Sequence, residues 1–87
     1  MTKAAIKKEI KTVLIEMGIP PAAITSSASY ARDLGLDSLD IAEMIIKFEC
    51  QLNLEIRGLD AENLHTIGDT IEYINNRINA TPISSNP

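Results

Sequence analysis

Eighty-seven residues make one domain with a modest core, too small for a deep catalytic cleft between two lobes. Apolar residues form 45% of the chain, yet Tyr30, Phe48 and Tyr73 are its only aromatics, so an aliphatic core of packed helices is expected rather than an aromatic-rich sheet. The net charge of −4 is unevenly spread: residues 1–17 balance to +2 and residues 33–62 to −6, which argues against nucleic acid and for partners with basic patches.

Thr2 is placed to cap a first helix reaching about Met17, because Ile6, Ile10, Val13, Leu14 and Met17 recur at the spacing of one buried helical face. Gly18 ends that helix, and Pro20-Pro21 blocks its continuation. Residues 18–37 then read as a long loop with Ile19, Ile24, Leu34 and Leu36 as packing points. Ser26, Ser27 and Ser29 read as loop polar residues without special chemistry.

Asp33-Leu34-Gly35-Leu36-Asp37-Ser38-Leu39-Asp40 is the stretch around which the chain is organised. Gly35 permits a tight turn between two apolar anchors, and Asp37 with Ser38 offers oxygens to the orphan amides of a helix start. The second helix runs from about Ser38 to Gln51 or Leu52. Its core face is Ile41, Met44, Ile45, Phe48 and Leu52, and its wet face is Asp40, Glu43, Lys47, Cys50 and Gln51. Leu39 and Ile46 fall at the border beside Glu43, an arrangement that suits transient docking steered by charge.

Asn53–Leu59 is a second connection. Leu54 and Ile56 alternate there like a strand, but no partner strand exists for them. Asp60 can cap a brief helix through Leu64, and Thr66 with Asp69 forms a capping-box signal for a last helix to about Ile78, with Ile67, Ile71, Ile74 and Ile78 facing inward. Residues 81–87 read as a disordered polar tail following a domain of residues 1–80. The sum is an all-α fold, a small antiparallel bundle of three main helices plus one short one.

Within this pattern the Asp-Leu-Gly-x-Asp-Ser-Leu run of Asp33–Leu39 resembles the attachment motif of acyl carrier proteins, over nearly the whole chain in length and helix order. The resemblance implies an acyl-carrier-like bundle in which Ser38 bears a covalent 4'-phosphopantetheine arm derived from coenzyme A and holding acyl groups as thioesters. It implies modification by a phosphopantetheinyl transferase and delivery to acyl-transferring and chain-elongating enzymes of fatty-acid or polyketide biosynthesis. Carried over by position, Asp37, Leu39, Asp40, Glu43, Ile46 and Glu49 are the contacts with those partners. Carriers of primary fatty-acid synthesis commonly have a run of acids late in this helix; here Lys47, Cys50 and Gln51 interrupt it, which leaves room for a specialised pathway. An aminoacyl or peptidyl carrier using the same serine, and a helical interaction module that is never modified, are the other two readings.

No catalytic constellation competes with this. His65 is the single histidine and reads as a boundary residue, the carboxylates are strung along a solvated face, and no cation or base is evident beside Cys50. One cysteine allows neither an internal disulfide nor a thiolate metal cluster, so no metal is expected. No apolar run of signal-peptide or membrane-span character follows the N-terminal lysines, and a monomer in a reducing cytoplasm is the expectation. The small Ala42 and the absence of tryptophan further suggest that short acyl chains can enter the bundle between the second and third helices.

Overall fold

In the computed structural model, which describes residues 1–79, helix α1 spans Lys3–Glu16 and begins where expected, with the Thr2 side chain accepting the Ala5 amide at 3.1 Å. It ends at Gly18, whose φ of +95° lies in the left-handed region that glycine tolerates. Helix α2 spans Ser38–Leu52 and stops at Asn53, the single non-glycine residue with positive φ among those described. Helix α3 is one turn, Gly58–Ala61, and α4 spans Ile67–Asn79. The expected tail at 81–87 lies outside the described residues.

Packing follows the periodicity. Ile6, Ile10, Val13 and Leu14 of α1 face both α2 and α4, meeting Met44, Ile45 and Phe48 from the former and Ile67, Ile71 and Ile74 from the latter. Each of these is buried, and together they form the single aliphatic core of an all-α antiparallel bundle. Among the described residues there is no strand, so Leu54 and Ile56 are indeed loop anchors rather than a ladder.

Four details depart from expectation. The 18–37 loop contains a 3₁₀ turn at Pro21–Ala23, because a proline at the first helical position has its fixed φ preset and no amide to satisfy. Asp60 does not cap α3. Arg57 occupies that place without a side-chain bond, and Asp60 instead accepts the Tyr73 hydroxyl at 2.8 Å, so α3 starts and ends earlier than Asp60–Leu64. Ile78 is 36% exposed rather than inward, because it belongs to the last turn of α4, beyond the reach of the core. Thr70 takes an inward position that the isoleucine pattern had not marked, and it is fully buried.

The long loop is stapled to the start of α4. Ser29 and Thr66 make an isolated antiparallel bridge, Tyr30 donates its amide to the His65 carbonyl at 3.0 Å, and Ile67 donates to Ala28 at 3.1 Å. Tyr30 is 1% exposed and shares a 2.6 Å hydrogen bond with Thr70. Burial pushes its hydroxyl pKa well above the ordinary tyrosine range, only partly offset by the Thr70 bond.

Candidate functional site

The turn before α2 is built from local chemistry. Gly35 adopts φ +70°, and Leu36 then donates its amide to the Tyr30 carbonyl at 3.0 Å, which delivers the chain to the helix start. There Asp37 is the cap: its carboxylate accepts the Asp40 amide at 2.8 Å, while Asp40 accepts the Asp37 amide at 3.2 Å. This reciprocal pair corrects the expectation that Ser38 shares the capping. Asp37 reaches the third-position amide first, so Ser38 becomes the first residue inside the helix.

The consequence is chemical. Ser38 is exposed, and its hydroxyl has no hydrogen-bond partner among the described residues. The amides of Ser38 and Leu39 are likewise orphan donors of the first turn, which favours negative charge nearby; the Asp37 and Asp40 carboxylates work against it. Leu39, next in sequence, is 80% exposed.

Ser38 also lies on the mouth of a groove of about 450 Å³ between α2 and the α3 segment. Ile41, Ala42, Ile45 and Ile46 form one wall, and Ile56, Gly58 and Ala61 form the other. Glu49 and Glu62 are its carboxylates. Ala42 therefore sits where a small side chain leaves room. The expected opening between the second and third helices did not specify Gly58 and Ala61, which carry no periodic signal; their smallness is the one clue the sequence offers.

The remaining residues proposed as contacts do not form one uniform patch. Ile46 is 59% exposed, and Glu43 lies 3.8 Å from Lys47 one turn on. Glu49 is half-buried and spends its carboxylate on the Ile56 amide at 2.7 Å. Leu59, on α3 and 76% exposed, adds an apolar group that sequence reasoning had not marked. Of the wet-face residues, Gln51 donates to Glu9 and so ties α2 to α1. His65 is exposed and marks the capping box before α4, where the Asp69 carboxylate accepts both the His65 and Thr66 amides.

The wall opposite α2 is held from outside by a cluster on α4. Tyr73 bonds Asp60, and Arg77 donates both to the Tyr73 hydroxyl and to the Glu55 carbonyl at 2.7 Å. Desolvation and the Asp60 bond push the Tyr73 hydroxyl pKa up, with Arg77 pulling it the other way. Among the described residues, no group of three or more His, Cys, Asp or Glu side chains is placed to hold a metal ion, and no helix is long and apolar enough to cross a membrane.

A four-helix bundle that presents a helix-start serine beside an apolar groove is the architecture of a small carrier module. Residues 6–74 match the family model described as phosphopantetheine attachment site. The chain belongs to that family, that of the acyl carrier proteins, and is a phosphopantetheine carrier whose prosthetic group, 4'-phosphopantetheine, is covalently held. Proteins of this kind work with a phosphopantetheinyl transferase and with biosynthetic enzymes. The residues here fit such a group: the Ser38 oxygen is exposed and unpartnered among the described residues, first-turn amides lie beside it, and an apolar groove opens next to it.

Proposed function

We propose that Ser38 is the attachment site of the arm, and that the chain carries acyl intermediates for fatty-acid or polyketide-type enzymes. The observation that carries this reading is the geometry at the start of α2, where the capping box is completed by Asp37 and Asp40 and the Ser38 hydroxyl is left over. A serine spent on capping would give up a hydrogen bond to react; this one gives up nothing. When bound, the arm supplies a terminal thiol that carries acyl groups as thioesters.

The chain's own residues do the rest. The first-turn amides favour a phosphate ester beside Ser38. Ile41, Ile45 and Ile56 offer the cargo an apolar shelter, which favours acyl over aminoacyl or peptidyl groups. Leu39 and Ile46 supply exposed apolar contact, with Asp37, Asp40 and Glu43 steering partners that bear basic patches. A small contact of this sort lets each partner leave before the next arrives.

Incubation with a phosphopantetheinyl transferase and coenzyme A is expected to add the mass of one arm, mapped by peptide fragmentation to Ser38, and Ser38→Ala is expected to abolish it. An arm found on another residue, or none at all, refutes the assignment. Loading of the arm-bearing protein by acyl transferases but not by adenylating enzymes is the expected cargo result, and the reverse preference would replace acyl by aminoacyl cargo.

A further inference from the structure

The groove beside Ser38 is lined along α2 from Ser38 to Glu49. Glu49 is the groove-lining residue of α2 farthest from Ser38, eleven positions along, or about 16 Å of helix rise. Its Oε2 accepts the amide of Ile56 at 2.7 Å, and Ile56 belongs to the opposite wall. Ile56 is itself only 5% exposed, so this wall cannot swing away at that point without uncovering core surface. A half-buried carboxylate bonded to a backbone amide is a charge-assisted contact, stronger than a neutral one. It ties the two walls to each other just beyond Ile46, the last aliphatic lining residue of α2.

We infer that Glu49 is the specificity-determining residue of this carrier: its clasp on Ile56 closes the far end of the groove and sets the length of aliphatic chain that can be sheltered. This rests on the acyl-carrier reading above and adds to it a limit on the cargo. An aliphatic chain short of the clasp meets the apolar side chains of Ile41, Ala42, Ile45 and Ala61, with Glu62 the one other carboxylate of the lining. A longer one has to break the Glu49–Ile56 bond and bury methylenes against a carboxylate, which is unfavourable unless the surplus stays outside in water. Sheltering therefore saturates with chain length, and Glu49 decides where.

The test uses the arm-bearing full chain loaded with saturated acyl groups from butyryl to myristoyl in two-carbon steps, with the amide chemical shifts of Ile56 and Ala61 as the readout. In the wild type these shifts are expected to grow with chain length and then stop. Glu49→Gln keeps an acceptor oxygen for the Ile56 amide and is expected to stop at the same chain. Glu49→Ala, and Glu49→Asp, in which the carboxylate is withdrawn by one methylene, are expected to move the ceiling to at least the next longer chain. An unchanged ceiling in a folded Glu49→Ala or Glu49→Asp protein overturns the inference, as does a ceiling that moves equally far in Glu49→Gln. If no chain of any length moves these amides in the wild type, the sheltering itself is absent and the inference falls with it, while the mass measurement on Ser38 still judges attachment separately.

Discussion

The two long connections of this protein are secured in opposite ways. The one from α1 to α2 is anchored by backbone pairing and a buried side chain: the Ser29–Thr66 bridge, the Ala28 and His65 carbonyls, and Tyr30 under the bundle. The one from α2 to α4 is pinned by buried Ile56 and Leu64, but between them it carries a single helical turn with no buried residue and no side-chain cap, held by the Tyr73, Asp60 and Arg77 cluster near the surface. The first connection fixes where α2 starts, and hence where Ser38 stands. The second forms the outer wall of the groove. Rigid placement of the reactive oxygen and a shallowly anchored α3 turn beside it are compatible because separate loops provide them.

Removing the buried anchor is the hardest test of this contrast. Tyr30→Ala deletes a fully enclosed ring and is expected to destabilise the fold by about 3–5 kcal/mol in denaturant titration. Gly68→Ala comes next, because a Cβ there would stand 2.9 Å from the Ser26 carbonyl oxygen that accepts the Gly68 amide. The loop backbone would have to retreat, at a cost of roughly 1–3 kcal/mol.

Tyr30→Phe keeps the ring and loses only the bond to Thr70, whose hydroxyl can still donate to the Thr66 carbonyl; about 1 kcal/mol is expected. The same variant sharpens a pH effect. Folded Tyr30 holds its proton more tightly than unfolded Tyr30, so its contribution is intact below the ordinary tyrosine pKa of 10.0 and is lost as pH rises beyond it. The fall in wild-type stability above about pH 10 is expected to be shallower in Tyr30→Phe.

On the other connection, Tyr73→Phe is expected to lower global stability by only roughly 0.5 kcal/mol. Its signature is instead faster amide hydrogen exchange confined to residues 57–62, without change at the Ser29–Thr66 crossing. Equal acceleration in both connections would erase the distinction between them. Ser38→Ala has the smallest expected effect on folding, within about 0.5 kcal/mol, since the cap belongs to Asp37. A loss near 1 kcal/mol or more would mean that Ser38 supports the helix after all.

Much of this protein is local in origin and could be read directly. The caps at Thr2 and at Thr66 with Asp69, the helix stop at Gly18, the turn at Gly35 and the core stripe of Met44, Ile45 and Phe48 each follow from spacing within one or two helical turns. The Asp33–Leu39 run pointed to the family by the same route, because its meaning lies in contiguous residues. What resisted reading depends on partners distant in sequence. Tyr30 meets Thr70 across forty positions, and Asp60 gives up a capping role for Tyr73 thirteen positions on. Glu49, expected only as a partner contact, bonds the Ile56 amide seven positions on. Periodicity reports which side of a helix is apolar, but which polar group meets which is settled only when the helices dock and each buried donor takes the acceptor that packing brings within reach.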